Sequence, residues 1–240
     1  MAYTAWANAA SAAACAGEFE RALDFADRCL ASVAAGPAVL ELQALGARAN
    51  ILARLTRFDE ATATAARQRE VADLVDRDEL RALADHDGGM VALAAGDLGR
   101  AETLLTTALA WQAPISRPLA RLARAEAPAG LGRCGEAEAE LNATALEALA
   151  PSDFPDTLVA RLTRVEGLIA AARGDPALAE RRLRAAADSW RRRLDRGEVG
   201  EAYAANLVDL GRPPIAGLIE PAHELARVLS DIETVRAVVS

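Results

Sequence analysis

The 240-residue sequence contains no lysine, and all 27 of its basic residues are arginine. A phosphate-binding loop of the GxxxxGK[ST] form needs a lysine, and so do a Schiff base and a lysine general base. The sequence therefore excludes these three kinds of site. Its 35 acidic residues give a formal net charge of −8. This charge argues against direct nucleic-acid binding by the chain, because neutralising phosphates requires a basic face.

Aromatic residues, cysteines and histidines are also few. Aromatic residues make up 4% of the chain, whereas alanine and leucine dominate the 52% that is hydrophobic, which favours packed helices over β-sheets. The three cysteines, Cys15, Cys29 and Cys134, lack CxxC spacing and predict buried thiols in a reducing compartment, without a structural disulfide. Two histidines, His86 and His223, without an HExxH motif predict no metal site. We expect no other cofactor.

Long apolar runs are absent too. No uninterrupted run approaches the length of a membrane span, and no basic leader precedes the apolar residues near the N-terminus. We therefore expect a cytoplasmic protein that does not insert into a membrane. A homodimer through apolar residues of the last segment, 235–240, stays open.

One short phrase recurs along the chain. GDLGRAETLLTTAL, which begins at Gly96, has related versions further upstream and downstream. Their turn positions, which we call anchors, are separated by 39, 40, 36, 42 and 37 residues and lie at Gly17, Thr56, Gly96, Gly132, Gly174 and Gly211. A period of this length without strand signals is typical of a solenoid of helix pairs, in which each pair buries its apolar face against its neighbours.

Each anchor separates two predicted helices. An Ala/Leu-rich stretch precedes it, and apolar residues three and four apart follow it. A glycine anchor suits a left-handed residue at the end of the first helix. The sequence thus predicts one all-α domain, an α-α superhelix of about six helical hairpins, with units near 4–35, 39–75, 80–112, 117–149, 156–194 and 198–238.

Proline placement is an independent test, since an interior proline costs a helix roughly 3 kcal/mol. Most of the ten prolines fall between predicted hairpins or at the start of a helix, where a missing N–H costs little. Pro221 opens a predicted last helix, PAHELARVLSDIETV. Pro128 lies inside the first helix of the fourth unit and predicts a kink or an early end there.

The repeated units resemble the tetratricopeptide repeat, whose signature is W-x2-LG-x2-Y…A-x3-F…P. The first unit carries it most clearly: Trp6 takes the tryptophan position, Phe19 the turn aromatic, and small residues take the packing positions at Ala10, Ala13, Ala22 and Ala26. In later units, the resemblance places close-packing glycines at Gly89 and Gly167 and the alanines of the second helix at Ala61, Ala101, Ala137 and Ala179. It covers roughly residues 4–193 well and the rest weakly.

A narrower resemblance concerns the source and the role. Arginine-only, alanine-rich units that end in phrases such as EAYAANLVDLGRPP resemble the helical-repeat regions of large actinobacterial regulators, the ATP-binding LuxR-type activators and related cyclase-linked proteins. In those families the solenoid is a sensor or a protein-docking arm. The sequence contains neither a P-loop nor a basic recognition helix. The resemblance therefore implies an arm that is separated from the ATP-binding and DNA-binding domains.

Three groups of residues have enzyme-like or ligand-binding alternatives. The carboxylates of Asp85 and Asp87 could orient the imidazole of His86 as a base. Successive residues on a helix point about 100° apart, however, so these side chains do not face one another. We therefore favour a polar helix face. The Glu180–Arg196 segment could dock an acidic partner or a phosphate through Arg181, Arg184 and Arg191. We favour a solvated face, in which Glu180 and Asp188 balance the charge of these arginines. We also interpret Glu136, Glu138 and Glu140 as solvated. Without a GxSxG motif, no nucleophile elbow is present, and we predict no catalytic residue.

The tetratricopeptide resemblance also implies which residues face the concave surface. They are Gln43, Asn50 and Arg54, then His86 and Met90, then Glu126, then Arg161 and Arg164, with Glu198 and Glu201 beyond them. The sequence therefore predicts a non-catalytic recognition module, a protein-interaction or signal-sensing arm of a bacterial transcriptional regulator, which binds a peptide or effector in this groove. A domain that encloses a small effector is the main alternative, and an all-α enzyme that uses His86 is a third interpretation.

Overall fold

The structure, a computed structural model, describes residues 2–15, 17–34, 36–111, 117–147, 155–195 and 220–239. Within these ranges every regular element is an α-helix, and none is a β-strand. The helices are α1 (Ala2–Cys15), α2 (Phe19–Ser32), α3 (Ala38–Arg54), α4 (Phe58–Val75), α5 (Asp78–Ala95), α6 (Leu98–Leu109), α7 (Arg117–Gly130), α8 (Cys134–Glu147), α9 (Pro155–Ala172), α10 (Pro176–Asp195) and α11 (Glu220–Val239).

The first ten helices form five consecutive hairpins, and each turn contains a predicted anchor. The backbone is left-handed at all five of these anchors, with φ of 77° at Gly17, 57° at Thr56, 78° at Gly96, 73° at Gly132 and 75° at Gly174. Glycine adopts this conformation without steric cost, whereas the β-branched Thr56 does not. The sixth anchor, Gly211, lies outside the described residues, as do Glu198 and Glu201.

Small residues let the two helices of a hairpin approach closely. The alanine five residues after each anchor, Ala22, Ala61, Ala101, Ala137 or Ala179, is fully buried. A Cβ atom at Gly89 would lie 2.7 Å from Leu105 Cγ, and one at Gly167 would lie 2.8 Å from Leu183 Cγ. Both leucines follow the buried alanine of their second helix by four residues, hence by about one turn. The close-packing glycines implied by the repeat resemblance are therefore confirmed.

Trp6 and Phe19, to which the resemblance assigns repeat positions, both pack against core residues of the first hairpin. The Trp6 and Phe25 rings stack with their centroids 5.9 Å apart, and Phe19 packs against the core of the first two hairpins. Cys29 is buried and free, and burial raises its pKa to about 11, so its thiol stays protonated at neutral pH. Cys134 is free and half-buried, while the Cys15 side chain lies outside the described residues.

Prolines mostly lie at helix starts. Pro155 and Pro176 begin α9 and α10, and Pro221 is the second residue of α11. Pro128 lies inside α7, which continues to Gly130. Its turn glycine, Gly132, follows the helix by two residues, as Gly174 follows α9. The helix therefore does not end early: with only two helical residues beyond it, Pro128 interrupts the hydrogen-bonding pattern at the end of α7.

The hairpins stack so that their first helices form one continuous layer. Contacts join α1 to α3, α3 to α5, α5 to α7 and α7 to α9, whereas successive second helices make no comparable contact within the described residues. We call α1, α3, α5, α7 and α9 the inner layer. An all-α superhelix of stacked hairpins, as the sequence predicts, is confirmed.

The last helix, α11, packs mainly on α10 and also contacts α9 and α1. The chain therefore curves far enough for its first and last described helices to meet. Among the described residues, no helix is long and apolar enough to cross a membrane.

Candidate interaction surface

The inner layer carries eight of the ten residues that the repeat resemblance assigns to the concave face, and the other two, Glu198 and Glu201, lie outside the described residues. The eight lie on four successive first helices: Gln43, Asn50 and Arg54 on α3, His86 and Met90 on α5, Glu126 on α7, and Arg161 and Arg164 on α9. The structure thus brings them to the same layer. Their contacts within the chain differ, however, and divide them into four groups.

Gln43 lies where α3 meets α1. The Tyr3 hydroxyl donates to Gln43 Oε1 over 2.9 Å, and burial raises the pKa of Tyr3 well above its ordinary value. The hydroxyl therefore remains a donor at any physiological pH. Gln43 consequently joins two helices of the inner layer in addition to being a candidate contact residue.

Asn50 belongs to a buried polar cluster around Asp87. Gln68 Nε2 donates to Asp87 Oδ2 over 2.7 Å, and Asn50 Nδ2 donates to Asp87 Oδ1 over 3.3 Å. Asn50 Nδ2 also donates to the carbonyl oxygen of Gly46. A Cβ at Gly46 would lie 2.4 Å from Asp87 Oδ2 and 2.6 Å from Gln68 Nε2, so only glycine leaves room for the cluster. Burial raises the pKa of Asp87.

The Asp85-His86-Asp87 triplet is a polar part of α5, as the sequence predicts, but its two carboxylates are not exposed to solvent. Asp85 and Asp87 are both buried. Asp85 accepts a hydrogen bond from Arg69 of α4, while Asp87 accepts from Asn50 and Gln68. Carboxylates are buried only when hydrogen-bonded or paired, and here α3 and α4 supply the partners. The sequence alone did not reveal which helices would lie opposite them.

Arg54 lies on α3, and His86 and Met90 lie on α5, the neighbouring helix of the inner layer. All three are half-buried, and Met90 packs against the core cluster that contains Leu105 and Ala123. This part of the surface combines a cation, an imidazole and a flexible apolar side chain. Such a combination can hold a carboxylate next to an apolar residue.

Glu126, Arg161 and Arg164 are almost completely buried. Arg164 Nη1 lies 2.6 Å from Glu126 Oε2, and their side chains are only 5% and 2% exposed. Two residues of α11 complete this group: Arg227 Nη2 donates to Glu126 Oε2 over 2.7 Å, and Arg164 Nε donates to Asp231 Oδ2 over 2.9 Å. The last helix therefore covers this end of the inner layer.

Arg227 and Asp231 were not predicted from the sequence to belong to this group. Their spacing of four residues was a usable signal, because it puts both charges on one side of a helix. Val228, Ile232 and Val235 lie next to this side and are buried. The amphipathic pattern indicates that α11 packs against something, but it does not indicate which helices α11 contacts.

The remaining candidates lie on second helices. In the Glu180–Arg196 segment, Arg191 pairs with Asp188, as expected for a solvated face. Glu180 accepts from Arg184 but also from Arg236 of α11, and Trp190 is buried. Glu136 is exposed. The expectation of solvation was wrong for Glu140, which is half-buried between Arg121 and Arg124. Within the described ranges, no cluster of three or more His, Cys, Asp or Glu residues could hold a metal ion.

No protein-family model matches the sequence, and a search of curated proteins finds no match either. Among solved structures, the chain is similar to the crystal structure of a tetratricopeptide repeat protein from Parabacteroides merdae, with a TM-score of 0.50 and 16% sequence identity. The similarity covers 98% of this chain and 79% of that one. The chain therefore has a tetratricopeptide-like helical-repeat fold.

Proposed function

We propose that the chain is a non-catalytic recognition module, a protein-interaction or signal-sensing arm of a bacterial transcriptional regulator. It binds a peptide segment of its partner along the inner layer. The supporting observation is that four neighbouring helices, α3, α5, α7 and α9, form one continuous layer. A layer built by stacked hairpins is held in place before the partner arrives, which lowers the ordering cost of binding.

The half-buried group of Arg54, His86 and Met90 supports the chemistry of the contact. Arg54 is the cation of this group, and its guanidinium can bind a carboxylate with two parallel hydrogen bonds. Met90 adapts its shape to apolar side chains. The partner segment in this proposal therefore carries an acidic residue beside an apolar one.

Peptide display against the full chain tests the proposal. Selected peptides should bind with micromolar or tighter affinity and should contain an acidic residue next to an apolar one. Their affinity should fall about tenfold for Arg54→Ala or His86→Ala, the range of a lost charged contact. Arg67→Ala is the matched control, because Arg67 is exposed on α4, outside the inner layer. If no selected peptide distinguishes Arg54→Ala from Arg67→Ala, the proposed surface is wrong.

The regulatory role needs a separate experiment in the source bacterium. Deletion of the coding region should alter the transcript levels of a defined gene set. Genes for the wild type and for Arg67→Ala should restore the transcript levels, whereas Arg54→Ala should not. If the Arg54→Ala gene also restores the transcript levels, the regulatory role does not depend on Arg54 of the inner layer. If deletion leaves the transcript levels unchanged, the proposed regulatory role is wrong.

A further inference from the structure

The last helix, α11, buries one apolar stripe against the rest of the chain, and Arg236 beside it donates to Glu180 of α10. Val228, Ile232 and Val235 are buried in one core cluster together with Leu183 and Trp190 of α10. Their spacing of four and three residues puts them on one side of the helix. Leu229, Glu233 and Thr234 are exposed on other sides. Among its described side chains, α11 is therefore an amphipathic helix with one docked face.

Two charges at the edge of this stripe contact residues of the inner layer. Arg227 donates to Glu126 of α7, and Asp231 accepts from Arg164 of α9. Glu126 and Arg164 also pair with each other. The result is an alternating row of charges, Arg227–Glu126–Arg164–Asp231, in which the two outer members come from α11. Each charge of α11 lies beside an opposite charge of the inner layer. A helix bound in the reverse direction would place like charges together, so the charges select one direction of the helix.

The position of α11 differs from that of an ordinary next repeat. In a solenoid each unit contacts only its neighbours. The α11 helix contacts α10 and α9 of the preceding hairpin, but it also reaches Glu126 on α7, one hairpin further back, and it contacts α1. These additional contacts place α11 over residues that the repeat resemblance assigns to ligand binding, Glu126 and Arg164.

We propose that the surface formed by α7, α9 and α10 is a binding site for amphipathic helices, and that α11 is its occupant within the chain. The partner is a helix with the same order of residues: an arginine followed by an apolar residue, an aspartate four positions after the arginine followed by another apolar residue, and a third apolar residue three positions later. In α11 this order is RVLSDIETV, 227–235. The partner helix binds when it displaces α11. This proposal rests on the proposed function.

A labelled peptide of residues 220–239 tests the proposal by fluorescence anisotropy against full-length chains. Wild type should bind it weakly, because a site occupied by α11 is available only in the fraction of molecules from which α11 has left. Ile232→Asp in the chain weakens the apolar contact of α11 and leaves the site unchanged. We expect this variant to bind the peptide at least about tenfold more tightly than wild type.

Matched controls separate this effect from general destabilisation. Leu229→Asp introduces the same charge on an exposed side of α11 and should leave the affinity at the wild-type value. A peptide that carries Ile232→Asp should not bind either chain. If the Ile232→Asp chain loses its helical circular dichroism signal, the Asp231→Arg chain is used in the assay instead. This change breaks the contact with Arg164 at the edge of the docked face. Arg164→Glu should then prefer a peptide with Asp231→Arg to the native peptide.

The proposal is wrong if the folded Ile232→Asp or Asp231→Arg chain binds the native peptide no more tightly than wild type. It is also wrong if Arg164→Glu shows no changed preference. Its failure is distinct from that of the proposed function. If displayed peptides depend on Arg54 but the 220–239 peptide binds wild type and Ile232→Asp equally, the proposed function stands and the displacement of α11 is wrong. If Ile232→Asp binds the 220–239 peptide more tightly than wild type but no displayed peptide is selected, the displacement of α11 stands and the proposed peptide surface is wrong.

Discussion

Arg227 in the last helix donates a hydrogen bond to Glu126, which lies 101 residues earlier in the sequence. Because Arg164 also lies 2.6 Å from the same carboxylate oxygen, one buried anion holds two cations from two different helices. This arrangement ties the end of the chain to the middle of the inner layer. It also adds a buried polar contact to the apolar cluster that α10 and α11 share.

Replacing Glu126 by Gln should therefore destabilise the protein strongly. The amide removes the negative charge and directs an N–H group towards a guanidinium, and breaking a buried ion pair costs about 3 to 5 kcal/mol. We expect a loss of this order in the free energy of unfolding, measured with urea. Glu136→Gln is the control, because Glu136 is exposed, and it should leave the urea midpoint unchanged. Equal midpoints for the two variants would contradict the assigned role of Glu126.

The left-handed Thr56 predicts a stabilising substitution. A residue with a Cβ atom in this conformation costs roughly 1 to 2 kcal/mol, and glycine removes that strain while adding entropy to the unfolded chain. Thr56→Gly should therefore raise the free energy of unfolding by about 0.5 to 1 kcal/mol. The reciprocal change, Gly96→Thr, should lower it by at least as much, since Gly96 has a φ of 78°. A destabilised Thr56→Gly would show that the hydroxyl stabilises this turn.

The contacts of Gly46 predict that even one methyl group is harmful there. A Cβ would lie within 2.6 Å of both Asp87 Oδ2 and Gln68 Nε2, and separating these buried partners costs about 1 to 3 kcal/mol. Gly46→Ala should lose this amount in urea unfolding. Gly99→Ala is the control: nothing lies within 4 Å of its Cβ position in the first turn of α6, so this methyl group should not lower the free energy of unfolding. The opposite order of stabilities would contradict the packing of the Asp87 cluster.

Asp87 predicts a specific pH dependence. Burial raises the pKa of this carboxyl above its ordinary value of 3.8, so the native state binds its proton more tightly than the unfolded state does. The contribution of Asp87 to the free energy of unfolding is then fully present below pH 3.8 and falls as pH rises towards the native pKa. We expect urea unfolding of wild type, compared with Asp87→Asn, to show this loss above pH 4. Parallel curves for the two proteins would mean that Asp87 does not titrate differently in the native state.

The hairpins could be predicted from the sequence because their signals are local. A glycine or threonine anchor, an apolar spacing of three or four residues and a small residue at Ala101 or Gly89 all act within one unit. Each signal depends on backbone conformation or on the two helices of that hairpin. The repeat resemblance also predicted which residues lie on the inner layer, because equivalent positions in successive units contact equivalent positions of the neighbouring unit.

The burial of particular polar residues could not be predicted in this way. Asp85 and Asp87 belong to a polar helix face in the sequence, and the structure buries both carboxylates: Arg69 of α4 donates to Asp85, and Gln68 of α4 donates to Asp87. Whether a carboxylate is hydrated or hydrogen-bonded depends on the helix that packs over it. That helix is chosen by the geometry between hairpins rather than by the residue's own neighbours in sequence.

The sequence by itself determined where the chain turns and which small residues let paired helices approach, because both depend on interactions over a few residues. Only the tertiary structure decided that α11 returns to α7 and α9 and that Glu126 and Arg164 are buried beneath it. The physical reason is that the path of a solenoid is the sum of small rotations and shifts between successive hairpins. That sum decides which distant residues meet.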